Sequence, residues 1–176
     1  MLAYAIDPLP VARGHIGLCC CPGHRLTPRF VRPSLEALEE DLDVIAAFGA
    51  TRLVTLMEAD ELRYIGVDPR RLEQAASAHG LAWLHLPIRN LSIPSATWED
   101  GWRTAGALLR QELEGGGRFA MHCYAGLGRT GTVAARLLIE NGQDPRSAVA
   151  AVRRVRPGSI ETWEQEDYVL RSPWVL

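Results

Sequence analysis

Residues 119–131, Phe-Ala-Met-His-Cys-Tyr-Ala-Gly-Leu-Gly-Arg-Thr-Gly, decide how this chain is read. The apolar run Phe119-Ala120-Met121 reads as the end of a buried strand, and it stops at His122-Cys123. A glycine-punctuated loop follows, Tyr124-Ala125-Gly126-Leu127-Gly128, and closes on Arg129-Thr130. From Gly131 to Glu140, Val133, Leu137 and Leu138 fall along one side of a predicted helix. A nucleophile type and a fixed cation therefore bracket five loop residues at a strand-to-helix junction.

A loop entering a helix N-terminus aims several backbone N–H groups at one spot, and the helix dipole favours negative charge there. Gly126 and Gly128 allow the dihedrals and close approach that such an anion nest needs. Arg129 can hold two phosphate oxygens in its planar fork. The same positive field stabilises a thiolate at Cys123. A phosphate cradle with sulfur at its floor points to covalent phosphoryl transfer through a phosphocysteine. Thr130 can donate its hydroxyl to the sulfur as it leaves in the second step.

His122-Cys123, five residues, then Arg129-Thr130 is the signature of the cysteine-dependent protein phosphatases. The full stretch resembles the dual-specificity branch, in particular the Cdc14-like and kinase-associated phosphatases. Ile16-Gly17-Leu18-Cys19 with Pro22-Gly23, Pro87-Ile88, and Arg156-Pro157-Gly158-Ser159-Ile160 with Gln165 have counterparts there, so the resemblance spans nearly the whole chain. It implies the protein-tyrosine-phosphatase-like fold. It makes Tyr124, Ala125, Gly126, Leu127, Gly128 and Arg129 the phosphate-binding loop. It also gives His122 and Gln165 supporting roles; Gln165 packs behind the loop, helps place the hydrolytic water, or is ordinary helix packing.

One position departs from the family. Aligning Pro87-Ile88 on the family's Pro-Ile-x-Asp places Asn90 where an aspartate protonates the leaving oxygen. An amide donates a hydrogen bond but gives up no proton, and general acid catalysis is worth ~10²–10⁴ in rate. Four readings are open. Asn90 is an engineered trap; the chain is a naturally slow or substrate-binding phosphatase; another carboxylate supplies the proton, with Glu99 and Asp100 nearest in sequence; or the leaving group is acidic enough to need none.

The rest of the chain fits one domain spanning residues 1–176. Apolar residues make up 47%, an ordinary proportion for a packed core, and the formal charge of −2 argues against a nucleic-acid-binding surface. All 19 basic residues are arginine, which base composition explains best. No apolar run approaches ~20 residues, so no membrane span is expected. Met1–Pro10 has neither the basic start nor the apolar core of a signal peptide. The cytoplasm, where a thiolate stays reduced, is the expected compartment, with the chain as a monomer. Among the 4 cysteines, Cys19-Cys20-Cys21 are adjacent and alternate between faces of an extended chain. They read as core thiols; a redox partner for Cys123 is a minor alternative. No metal and no cofactor are expected, because Arg129 and the loop amides supply the positive charge.

Short strands are predicted at Leu2–Ile6 and Ile16–Cys19, separated by a Pro/Gly turn. Ser34 caps a helix from Leu35 to about Phe48 that Gly49 ends. Arg52–Met57 reads as a central strand, Glu58–Tyr64 as a short helix or turn, and Leu81–Leu86 as a further strand. Asp68-Pro69 and Asp144-Pro145 each open a helix. A long helix starts at Ser95 or Thr97 and runs to Glu114, with Trp98 and Trp102 packing in the core. The last helix runs from Glu161 to Arg171, and Arg153, Arg154 and Arg156 read as a solvated face. Alternating strands and helices imply an α/β domain, its central sheet mostly parallel and flanked by helices on both faces. The site should sit at the carboxyl end of the strand ending at Cys123. Uncharged side chains at Tyr124, Ala125 and Leu127 favour a phosphorylated protein or peptide over a multiply phosphorylated lipid.

Overall fold

The structure is a computed structural model that describes residues 4–24 and 35–171. Among the described residues there are five strands, β1 (Asp7–Val11), β2 (Gly14–Cys19), β3 (Arg52–Thr55), β4 (Ala82–His85) and β5 (Arg118–His122). They form one sheet in the order β1-β2-β5-β3-β4. All neighbours run parallel except β1, which pairs antiparallel with β2. The helices are α1 (Leu35–Ala47), α2 (Ala59–Tyr64), α3 (Pro69–Ala78), α4 (Ala96–Glu114), α5 (Gly128–Glu140), α6 (Pro145–Val155) and α7 (Trp163–Arg171). Helix α5 packs against α6 and α7, while α1 packs against α3. This is the α/β, mostly parallel architecture that the strand–helix alternation implies.

Strand β5 is central because it is apolar on both faces: Phe119, Ala120 and Met121 are wholly buried. Burying each large side chain of this kind contributes about 1.5–3 kcal/mol. Ile16, Leu18, Leu53 and Val54 on the flanking strands are equally buried. Asp68 and Asp144 cap α3 and α6 with side-chain oxygens that accept from Arg71 N at 3.1 Å and Ser147 N at 3.0 Å. Ser95 caps α4 by accepting from Trp98 N. Trp98 and Trp102 stack with centroids 4.8 Å apart and are buried, in keeping with a core role.

Several expectations change. Of the strand expected at Leu2–Ile6, the first two residues lie outside the described residues, and Tyr4–Ile6 is not strand. The strand is Asp7–Val11, which contains both prolines expected to turn the chain. Pro8 and Pro10 are two apart on an edge strand, so their missing N–H groups face away from β2, and Leu9 and Val11 point into the core. Arg153 and Arg156 are not a solvated face but are tied to the backbone of the functional site, as described below. The last helix begins at Trp163, not Glu161. The cap proposed at Ser34 lies outside the described residues.

Candidate active site

The loop between β5 and α5 is shaped by where its carbonyls go. In a planar trans peptide the C=O and the next N–H point in opposite directions. The Cys123 carbonyl accepts from His122 Nδ1 at 3.1 Å, Tyr124 O from Cys21 N at 3.0 Å, and Ala125 O from Arg156 Nη2 at 2.7 Å. Three successive carbonyls are thus drawn outward by donors from three elements. The N–H groups of Tyr124, Ala125 and Gly126 consequently point the other way. Leu127 O accepts from Gly131 N, and Gly128 O from the Thr132 hydroxyl, which starts α5 at Gly128. The helix therefore begins three residues earlier than its apolar spacing suggests, and Arg129 sits in its first turn.

Gly126 is required by space as well as conformation. Its φ is +72°, and a Cβ there would lie 2.0 Å from the Cys19 carbonyl oxygen. The loop is pressed directly onto the end of β2.

His122 is buried, and desolvation pushes its imidazole down to about 4. Its hydrogen bonds define the tautomer. A carbonyl only accepts, so Nδ1 carries the hydrogen toward Cys123 O. Nε2 is then the acceptor and takes the Thr55 hydroxyl hydrogen across 2.8 Å. Thr55 Oγ1 in turn accepts from Trp83 Nε1 at 2.8 Å. A chain of donors crosses from β4 through β3 to the first peptide of the cradle.

Arg129 is 2% exposed and already committed on one edge. Nη1 and Nη2 donate to Glu61 Oε2 and Oε1 at 2.6 and 2.7 Å, and the second Nη1 hydrogen goes to Ile88 O at 3.1 Å. Of the five guanidinium hydrogens, Nε–H and one Nη2–H have no acceptor among the described residues. They lie parallel on one edge and form the fork that two phosphate oxygens fit. Burial works against the charge of Arg129, but Glu61 and Cys123 outweigh it and hold the guanidinium more firmly protonated than usual.

Cys123 and Arg129 line one cavity of about 140 Å³, together with Tyr124 and Ala125. The exposed Asn90 and Leu91 line it from the turn after β4, and the exposed Glu161 with the buried Gln165 line it from the start of α7. Both sides contain strained backbone: Leu91 and Ile160 have φ of +57° and +61°, unfavourable for side chains of this kind and costing ~1–3 kcal/mol each. Gln165 is wholly buried and bridges the two sides. Its Oε1 accepts from Glu161 N and Thr162 N, and its Nε2 donates to Ser92 O at 3.3 Å. The Thr130 hydroxyl is buried and has no hydrogen-bond partner among the described residues.

The cavity thus brings together Cys123, Arg129, Tyr124, Ala125, Asn90 and Gln165 from the sequence-derived set. Glu99 and Asp100, the alternative carboxylates, are elsewhere. Glu99 is bound to Arg136 at 2.7 Å and to the Tyr168 hydroxyl at 2.6 Å, and Asp100 pairs with Arg103. The three other cysteines are free thiols, and burial pushes Cys19 up to about 12.

Two acidic residues were missed. Glu61 lies on a short helix that carried no assigned role. Glu161 was absorbed into the last helix, although Thr162-x-x-Gln165 is a capping box: Thr162 Oγ1 accepts from Gln165 N while Gln165 Oε1 accepts from Thr162 N. Reading that motif would have left Glu161 outside the helix.

A family model described as "Polymorphic toxin system, DSP-PTPase phosphatase" matches residues 31–143. The chain belongs to this family of dual-specificity cysteine phosphatases. It is 28% identical over 173 residues to rat (Rattus norvegicus) cyclin-dependent kinase inhibitor 3, covering 93% of this chain and 76% of that protein. Tyrosine-protein phosphatase CDC14 of Candida albicans is 44% identical over 46 residues, 26% of this chain and 8% of that one. Among solved structures, kinase associated phosphatase with its catalytic-site cysteine replaced by serine superposes with a TM-score of 0.82. That match covers 96% of this chain and 93% of the other at 24% identity, and shows a shared fold. Relatives across the family indicate protein tyrosine or dual-specificity phosphatase activity.

Proposed function

We propose that this protein hydrolyses phosphate monoesters on phosphoproteins through a phosphocysteine on Cys123. The observation that carries the reading is that Cys123 and Arg129 line one cavity, and that the carbonyls of Cys123, Tyr124 and Ala125 are each held by a donor outside it. The Cys123 sulfur attacks phosphorus. The free edge of Arg129 and the N–H groups of Tyr124 to Gly128 hold the equatorial oxygens, stabilising charge that grows in the transition state. Water then attacks the phosphocysteine, and the Thr130 hydroxyl supports the departing thiolate. Gln165 holds the two sides of the mouth at the spacing the substrate needs.

The similarity to kinase associated phosphatase supports a phosphorylated protein as substrate, and the uncharged loop side chains support a singly phosphorylated site. We take phosphotyrosine as the first substrate, with phosphoserine and phosphothreonine as further ones. The family description supports work within a polymorphic toxin system. We place the activity in the cytoplasm, where Cys123 stays reduced, with the chain acting as a single monomeric catalytic domain.

Asn90 at the mouth of the cavity favours a second reading, a phosphate-binding module with little turnover. One assay separates the two. Phosphate release from a phosphotyrosine peptide that vanadate blocks and Cys123→Ser abolishes is the expected result. Peptide binding without release over hours would instead identify a module.

A further inference from the structure

We propose that Glu161 is the proton carrier of this site, giving a proton to the leaving oxygen in the first step and taking one from water in the second. The proposal rests on the phosphatase reading above and deepens it. The reaction needs a group that changes protonation at the mouth of the cavity, and among the described lining side chains Glu161 is the carboxylic acid. Asn90 has no proton to give. The Gln165 amide is spent on Glu161 N, Thr162 N and Ser92 O. The Tyr124 hydroxyl is engaged with His24 Nε2 at 3.0 Å.

The position of Glu161 is built. A Cβ on Gly128 would lie 2.4 Å from Glu161 Oε2, so the carboxylate lies over the first residue of α5, at the positive end of that helix. Its turn is clamped from below: Arg153 Nε donates to Ser159 O at 3.1 Å, and Arg153 Nη2 to Ile160 O at 3.2 Å. The left-handed backbone of Ile160 immediately precedes it. The Thr162–Gln165 capping box stops α7 one residue short of absorbing it. The ionisable groups facing Glu161 are Cys123, Tyr124 and Arg129 of the cradle; Arg153 of α6 is paired with Glu166 of α7 at 2.7 Å.

The proton balance closes. The sulfur–phosphorus bond forms as the phosphorus–oxygen bond to the leaving group breaks, and the Glu161 proton goes to that oxygen. Water oxygen then bonds to phosphorus, the sulfur–phosphorus bond breaks with its electron pair returning to sulfur, and the proton of water goes to Glu161. The site ends as it began.

The test compares a phosphoserine peptide, whose leaving alkoxide needs a proton, with p-nitrophenyl phosphate, whose leaving group does not. In Glu161→Gln, kcat/KM for the peptide should fall by ~10²–10⁴ and its alkaline limb disappear, while for p-nitrophenyl phosphate kcat/KM holds and kcat alone falls, because hydrolysis of the phosphocysteine is common to both esters. Glu161→Asp should keep the limb at a lower rate, which decides the matter if the glutamine variant does not fold. An equal fall of kcat/KM on both esters, or an alkaline limb that survives in Glu161→Gln, would overturn the proposal. Hydrolysis of p-nitrophenyl phosphate that persists in Cys123→Ser would instead overturn the phosphatase reading itself, so the two failures are distinguishable.

Discussion

At the floor of the cavity Cys123 and Arg129 are each 2% exposed, whereas Asn90 and Glu161 at its mouth are open to solvent. The floor is held by hydrogen bonds from the segment after β2, from α2, from the C-cap of α6 and from the end of β5, so moving any atom of it disturbs several elements. The mouth is two short turns joined through Gln165, each with one strained residue. On the proposed function, anion binding belongs to the many-partnered floor and proton handling to the exposed turns. An Asn can stand at position 90 without loss of the fold because nothing in the floor depends on it.

The largest test of this contrast is Gly126→Ala. Overpacking against the Cys19 carbonyl and a left-handed alanine together cost on the order of 4 kcal/mol. Thermal unfolding and vanadate titration should show a destabilised protein with weakened oxyanion binding; wild-type values for both would mean the floor is not rigid. Glu61→Ala comes next. It leaves the buried Arg129 without its bidentate partner, at a cost of about 3 kcal/mol. Denaturant unfolding should record the loss, and KM for a phosphotyrosine peptide should rise as the guanidinium fork loses its orientation.

The third test uses pH. Burial holds His122 down to about 4, below its ordinary 6.5, so between these values the unfolded chain binds the proton more readily. The stability from keeping His122 neutral is complete above pH 6.5 and is lost as pH falls through 4, about 3 kcal/mol in all. Urea midpoints across this range should show the slope, and His122→Asn should flatten it. The smallest effect belongs to the mouth. Asn90→Asp should change stability by less than ~0.5 kcal/mol, as an exposed substitution does. It should add little to phosphoserine-peptide turnover while Glu161 is present, and restore turnover in Glu161→Gln. A large gain in the otherwise unaltered protein would show that position 90 alone had lacked the acid.

The same contrast separates what the sequence made legible from what it hid. The floor is a local pattern. Strand, cysteine, five loop residues, arginine and helix are contiguous, and each residue type has a direct physical reason to be there. The partners of that floor are distant. Glu61 is 68 residues from Arg129, and no periodicity connects them. Arg156 looked like part of a basic helix face until the fold carried it to Ala125 O. Glu161 was hidden by a helix boundary, which helical spacing sets poorly and which the Thr162–Gln165 cap defines. The edge strand was hidden because Pro8 and Pro10 are turn residues in most settings, and only pairing on one side makes them tolerable in a strand.

The most direct measurement is to quench the protein during turnover of a phosphotyrosine peptide and map any phosphoryl group by peptide mass spectrometry. A single adduct on Cys123, absent in Cys123→Ser and more abundant in Thr130→Ala, is the predicted result. Steady phosphate release with no adduct on Cys123, undiminished by Cys123→Ser, would contradict the account.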